Sequence, residues 1–193
     1  EMCIRDRDTK SKTAQIREAA FKEEITANHP GITIVDAYHM DDLSNWQDVV
    51  AAEINAGTYQ PKDETLAGKE TVLPEELTEE QVVDYIFAKH PNLKGVFGTN
   101  IDALKLGLAG LERAERDDIS VVGYDIDTEI KKALKEGRVD GLIVQNPFGM
   151  GYASVVASAR AALNLGNEAV VDTGYTWVTK KNMKDEAVKK VLY

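Results

Sequence analysis

Three short apolar runs in the second half of the chain each end at a polar side chain. These side chains are Asn100, Asp125 and Gln145. The two amides can donate and accept hydrogen bonds, whereas the carboxylate of Asp125 accepts them. None of the three is a nucleophile. The set therefore indicates a binding site for a small, neutral, polyhydroxylated ligand, whose hydroxyl groups both donate and accept, rather than an active site.

These side chains come together only if the runs are neighbouring strands of one sheet. The runs cover 94–98, 119–124 and 141–145, and stretches with helical spacing separate them. A parallel neighbour requires such a crossover connection, and in an open parallel sheet the ligand crevice lies outside the carboxyl ends of the strands. The pattern predicts an α/β fold, a three-layer sandwich with a parallel doubly wound sheet. We predict four or five parallel strands, in the flavodoxin-like order 2-1-3-4-5.

The remaining elements follow from periodicity and capping signals. A strand is predicted over 32–37, and a strand-like segment over 175–179. Capping-box patterns at Ser44/Gln47 and Thr78/Gln81 each predict the start of a helix, and Gly137 is placed to end one with a left-handed residue. Further helices are predicted over 12–28, 102–115, 128–136 and 148–165, with a charged helical tail within 172–193. Residues 57–77 are predicted to be a long loop, either an insertion or a functional flap.

Composition excludes several classes of protein. The 193 residues, 43% hydrophobic, suffice for one domain with a proper core, and the net charge of −10 argues against binding to nucleic acid. Cys3 is the only cysteine in the sequence, so an internal disulfide and a thiolate metal cluster are excluded. No apolar stretch reaches the length of a membrane-spanning helix. We expect neither a cofactor nor a metal.

The first residues, EMCIRDR, resemble translated adaptor sequence at the edge of a fragmentary reading frame. We therefore exclude residues 1–8 from the predicted fold and assign residues 9–193 to the domain. If this is correct, the natural protein starts further upstream, and a signal sequence has been lost by truncation.

Signals for an enzyme are weak. No glycine-rich dinucleotide fingerprint, P-loop lysine or nucleophile-elbow serine is present. His29, His39 and His90 lie far apart without the spacing of metal ligands. His29 and His90 each precede a proline at a predicted helix end and are expected to have capping or surface roles. His39 follows a strand and could face the crevice. We predict that the protein is not an enzyme.

A family resemblance rests on motifs that occur in order along residues 12–183. VFGTNIDALKLGLAGLERA, DDISVVGYD, KKALKEGRVDGLIVQ, NPFGMG and DTGYTWVTKKN resemble the sugar-binding periplasmic proteins of ABC transporters. These proteins have the type I periplasmic binding protein fold, which the ligand domains of LacI-type repressors share. The resemblance implies two α/β lobes that close over a sugar, and this chain looks like mainly the C-terminal lobe.

The resemblance also implies roles for individual residues. Asn100, Asp125 and Gln145 match residues that hydrogen-bond sugar hydroxyls in the family, and Arg17 matches an arginine of the first helix that reaches the sugar. Trp46 is the candidate for an aromatic ring that stacks on the sugar, with surface packing as the alternative.

The implied function is that of a solute-binding protein, which binds a sugar or polyol and delivers it to an ABC transporter permease outside the cytoplasm. The alternatives are the ligand domain of a LacI-type regulator and an extracytoplasmic sugar sensor. The Gln145–Pro147 motif and the C-terminal motif favour transport. The full-length protein is expected to be a monomer, and the isolated lobe to bind sugar very weakly or to be poorly soluble because its partner surface is exposed.

Overall fold

The computed structural model describes residues 1–6, 9–66 and 69–192, and its fold is α/β. The chain divides into two compact units, Glu1–Gly123 and Tyr124–Tyr193. The elements of the first unit are β1 (Met2–Asp6), α1 (Lys12–Asn28), β2 (Ile34–His39), α2 (Leu43–Asn55), α3 (Glu79–Lys89), β3 (Gly95–Gly98), α4 (Ile101–Arg113) and β4 (Ser120–Tyr124), whose last residue opens the second unit. The second unit contains α5 (Thr128–Glu136), β5 (Gly141–Gln145), α6 (Pro147–Ala162), β6 (Tyr175–Val178) and α7 (Glu186–Lys189).

The strands of the first unit form a parallel sheet. β1 pairs in parallel with both β2 and β3, and β3 pairs in parallel with β4, which gives the order β2-β1-β3-β4. With β1 counted, this is the beginning of the flavodoxin-like order, but the predicted strands start at 32–37 and leave β1 out. For those segments the predicted order is wrong, because it places 94–98 at the edge of the sheet, whereas β3 pairs with both β1 and β4. The carboxyl ends of these strands therefore lie at one edge of the sheet, where the sequence placed the binding site.

Strand β1 corrects the exclusion of residues 1–8 from the fold. Met2–Asp6 pairs on both sides, and Cys3 and Ile4 are completely buried. The segment was excluded because it resembles adaptor sequence, and its charged end, Arg5 and Asp6, also departs from the continuous apolar run of a typical buried central strand. The origin of the segment in adaptor sequence remains a prediction.

Capping explains where the helices begin and end, with one correction. Thr78 and Gln81 form the predicted capping box, with hydrogen bonds of 2.9 and 3.3 Å. Helix α5 ends at Gly137 with φ of 87°, as predicted. The capping box predicted at Ser44 is wrong, because α2 begins at Leu43 and Gln47 instead donates 2.6 Å to the carbonyl of Leu77.

In the second unit, β6 runs antiparallel to β5, with Tyr175 opposite Gln145. If the strand-like segment 175–179 is counted as the fifth of the predicted four or five parallel strands, that part of the prediction is wrong. The cause lies in residues 163–174, which bring the chain back to the carboxyl end of β5, so that the next strand runs in the opposite direction. There Asn146 Nδ2 donates 2.9 Å to the carbonyl of Thr173.

No helix among the described residues combines the length and apolar character that a bilayer crossing requires.

Candidate functional site

In the first unit, buried hydrogen bonds join the carboxyl ends of β1 and β3. Thr99, which follows β3, donates 2.6 Å from Oγ1 to Oδ1 of Asp6, and its backbone N–H donates 3.0 Å to the carbonyl of Arg5. Asp6 and Thr99 are both buried. Buried hydrogen bonds therefore hold polar groups in place at this edge of the sheet.

Arg17 extends from α1 to this edge. The helix begins after Ser11, whose Oγ accepts from the N–H of Ala14 at 3.4 Å. One and a half turns later, Arg17 Nη1 donates 2.8 Å to the carbonyl of Thr99. Arg17 therefore contacts Thr99, the residue that precedes Asn100 in the chain.

Asn100 is the N-cap of α4. Its Oδ1 accepts from the backbone N–H groups of Asp102 and Ala103, both at 3.0 Å. The oxygen therefore pairs with free N–H groups at the start of α4, so Asn100 has a structural role as a helix cap. Capping also fixes the orientation of the amide, whose Nδ2 lies 3.4 Å from Thr99 Oγ1. A ligand at this edge would meet the donor end of Asn100.

In the second unit, Asp125 and Gln145 come together at the ends of β4 and β5. Gln145 Nε2 donates 2.6 Å to Asp125 Oδ1, between side chains that are half-buried. Asp125 has φ of 66°, a left-handed conformation that is uncommon for residues other than glycine. Its N–H donates 2.9 Å to the carbonyl of Ile143. Such backbone strain is concentrated at functional sites, where the surrounding structure maintains it.

Trp46 has packing partners of its own on α2. Its ring centroid lies 6.1 Å from that of Tyr38, and the ammonium group of Lys89 lies 6.0 Å from the ring. Tyr38 in turn donates 2.8 Å to Glu79. These contacts account for the half-buried position of Trp46 by packing, which was the alternative to sugar stacking.

A pocket of about 290 Å³, which the sequence did not predict, lies at the same edge of the first unit. It is lined by Asp6, Thr9, Gln15, Glu18, Ala19, Lys22 and His39. Exclusion of residues 1–8 removed Asp6 from consideration. The position of His39 after β2 was the available signal, and the expectation that His39 could face the crevice agrees with its place in this lining.

Hydrogen bonds hold the charged groups of this pocket. His39 Nε2 lies 2.8 Å from Glu18 Oε2, and Lys22 donates to the other oxygen of the same carboxylate. Burial opposes ionisation of Glu18, but the bonds from Lys22 and His39 outweigh it and lower the pKa of Glu18. Asp6, Glu18 and His39 offer ligand atoms within 4.8 Å of one another. Each of the three has a protein partner, since Glu18 bonds His39 and Lys22, and Asp6 accepts from Thr99.

Comparison with known proteins identifies the family. Residues 2–168 match the model of the periplasmic binding protein domain. The chain belongs to this periplasmic binding protein family. Residues 2–6, which form β1, lie within the match.

Individual proteins of this family are similar to the chain in sequence and in structure. The ribose import binding protein of Salmonella typhimurium is 35% identical over 75 residues, which are 38% of this chain and 25% of that protein. An ABC transporter solute-binding protein from Agrobacterium vitis, solved with bound α-D-tagatopyranose, is 25% identical with a TM-score of 0.72. That comparison covers 100% of this chain and 54% of the solved one.

A candidate LacI transcriptional regulator from Bacteroides fragilis also shares the fold. Its TM-score is 0.64 at 20% identity, over 94% of this chain and 53% of that chain. The chain thus spans about half the length of the solved proteins that it matches.

Proposed function

We propose that the chain is one lobe of a solute-binding protein that binds a sugar or similar polyol and delivers it to the permease of an ABC importer. The observation that carries this proposal is the hydrogen-bonded pair of Asp125 and Gln145 at adjacent strand ends. The functions of the ribose import binding protein and of the tagatose-bound solute-binding protein support it. We propose an extracytoplasmic location for the same reason.

The proposed ligand contacts follow from the chemistry of the side chains. The carboxylate of Asp125 accepts from sugar hydroxyls, whereas Gln145, Asn100 and Arg17 supply donors. These side chains are half-buried, so hydrogen bonds to a sugar replace the bonds that they make with water. Trp46 is the proposed stacking ring. Its contacts with Tyr38 and Lys89 also give it a role in packing α2.

The proposed mechanism is closure of two lobes over the sugar. Contacts made only in the closed state shift the equilibrium between open and closed forms, because a ligand shifts a population by its differential affinity. The permease then distinguishes the closed form from the open one. In this proposal, each lobe alone makes only part of the contacts and binds sugar weakly.

A second candidate is the ligand domain of a LacI-type regulator, which the Bacteroides fragilis structure supports at the level of the fold. The two functions differ in what precedes the lobes. Recovery of the upstream coding sequence distinguishes them, since DNA-binding helices would favour the regulator and a signal peptide would favour the transport protein.

The proposal is tested on the protein extended to the full length of its relatives. Thermal shift and calorimetric titration with D-ribose, D-tagatose and D-arabinose are compared with a titration with an amino acid. Binding of at least one sugar at micromolar concentration or tighter is expected. If every sugar fails to bind while the protein is folded, the proposal is wrong.

A further inference from the structure

An aromatic side chain lies beside Gln145 at the carboxyl end of β5. Tyr175 is the first residue of β6, and it pairs directly with Gln145, the last residue of β5. Residues that face each other in an antiparallel pair project from the same side of the sheet, with Cβ atoms about 4.5–5.5 Å apart. Tyr175 therefore stands next to the amide that bonds Asp125. We call Asp125 and Gln145 the strand-end pair.

Hydrogen bonds hold the start of β6 in this position. Asn146, which directly follows β5, donates 2.9 Å from Nδ2 to the carbonyl of Thr173. Gly174 has φ of 75°, a left-handed conformation that glycine adopts without strain, and its N–H donates 2.8 Å to Asp172 Oδ1. The backbone that leads into Tyr175 is therefore fixed against the end of β5.

Trp177 projects from the same side of β6 and provides a comparison. It pairs with Ile143, and its ring covers Gly141, where an added Cβ would collide with it. Tyr175 is 74% exposed, and its side chain has neither a hydrogen bond nor a ring contact with the residues that the structure describes. Packing within the second unit thus accounts for Trp177 and leaves the ring of Tyr175 without a role.

An exposed aromatic ring beside two hydrogen-bonding groups suits the chemistry of a cyclic sugar. The C–H groups of a sugar ring form apolar patches on its faces, while its hydroxyl groups extend outwards. An aromatic side chain buries such a patch, and the carboxylate and amide of the strand-end pair bond the hydroxyls. An open-chain polyol has no fixed apolar face, and it loses more conformational freedom when it binds.

We propose that Tyr175 is a further ligand-binding residue, whose ring packs on the C–H face of the bound sugar, and that the ligand is a cyclic sugar and not an open-chain polyol. This inference rests on the proposed function and narrows its ligand class. Its ring belongs to the same unit as the strand-end pair.

Calorimetric titration of the protein extended to the full length of its relatives tests the inference. The ligands are the tightest binder among D-ribose, D-tagatose and D-arabinose, and the alditol formed from it by reduction. Tyr175→Ala should weaken sugar binding at least about fivefold, whereas Tyr175→Phe, which keeps the ring, should change it by less than about twofold. The alditol should bind the unsubstituted protein at least about tenfold less tightly than the sugar.

Tyr152→Ala is the matched control. Tyr152 is also an exposed tyrosine of the second unit, but its ring stacks on Phe148, at 6.3 Å between centroids. Its truncation should leave the sugar affinity within about twofold of the unsubstituted value. Urea unfolding without sugar should give the same stability for Tyr175→Ala as for the unsubstituted protein, because the ring packs on the ligand and not on the protein.

Three results would overturn the inference and leave the proposed function intact. These are an unchanged sugar affinity in Tyr175→Ala, an alditol that binds as tightly as the sugar, and a Tyr175→Ala protein that is destabilised without sugar and loses affinity for both ligands equally. If no sugar binds the folded, unsubstituted protein, the proposed function fails and this inference fails with it.

Discussion

Helices α4 and α6 both follow a strand of the α/β fold, and both are rich in apolar residues. In α4, Leu104, Leu108 and Leu111 are buried on one face. In α6 no residue is buried, and Phe148 and Val155 are 81% and 70% exposed. The apolar residues of α4 stabilise the unit to which they belong. Those of α6 form a surface suited to a partner, which agrees with a chain that spans about half of its solved relatives.

Truncation of one side chain in each helix should give the largest contrast. Leu104→Ala removes a completely buried side chain next to Gly98 and should lower the free energy of unfolding by about 2–5 kcal/mol. Val155→Ala should change it by less than about 0.5 kcal/mol, because the residue is exposed. Urea unfolding of both variants measures the difference. Similar losses would show that α6 is packed in solution.

The glycines of the two helices give a second contrast. A Cβ at Gly110 in α4 would lie 2.5 Å from atoms of Phe87 and Val83, whereas a Cβ at Gly151 in α6 meets nothing within 4 Å. Gly110→Ala should therefore destabilise the protein by about 1–3 kcal/mol. Gly151→Ala should stabilise it by about 0.5–1 kcal/mol through helix propensity. Thermal unfolding followed by circular dichroism measures both, and stabilisation by Gly110→Ala would contradict the packing of α3 on α4.

If the α6 surface drives association, a charge placed on it should oppose self-association of the chain. Val155→Lys should weaken association at least about tenfold, since it interrupts an exposed apolar patch. Ala109→Lys makes a comparable change on the exposed face of α4 and should have little effect. Sedimentation equilibrium compares the two, and equal behaviour would exclude α6 as the associating surface.

The smallest effect concerns pH. Because the folded state lowers the pKa of Glu18, the unfolded state binds more protons at acidic pH. The contribution of Glu18 is complete above its unfolded pKa of about 4.3 and is lost as pH falls through the lower folded value. Glu18→Gln should flatten the acid limb of the stability curve, whereas Glu168→Gln, at an exposed position, should not. Urea unfolding between about pH 3 and 6 provides the comparison.

The sequence predicted elements wherever local signals agreed with tertiary structure. Thr78 and Gln81 cap α3 as expected, because Gln81 accepts the capping bond with Oε1 while its Nε2 donates to Asp63. The same pattern failed at Ser44 because Gln47 is used by a carbonyl 30 residues away. Strand β1 was excluded because its sequence resembles adaptor sequence. In addition, Arg5 is a buried charge without a hydrogen-bonding partner among the described residues, which no sequence pattern assigns to a core.

For the candidate site, strand-end position was the informative signal. It brought Asp125 to Gln145, whereas Arg17, which only the family resemblance named, contacts the residue before Asn100. It could not reveal that Thr99 bonds Asp6, since that contact joins residues 93 positions apart. Nor could it separate the packing of Trp46 from stacking on a ligand, because a half-buried ring near the start of a helix is compatible with both.

The most direct measurement is calorimetric titration of the full-length protein with its tightest sugar, before and after the substitution Asp125→Ala. Loss of a charged acceptor at a dry site should weaken binding at least about tenfold, whereas Asp117→Ala, at an exposed loop position, should leave the affinity unchanged. An Asp125→Ala protein that is folded and binds the sugar as tightly as the unsubstituted protein would contradict the assignment of the strand ends as the sugar site.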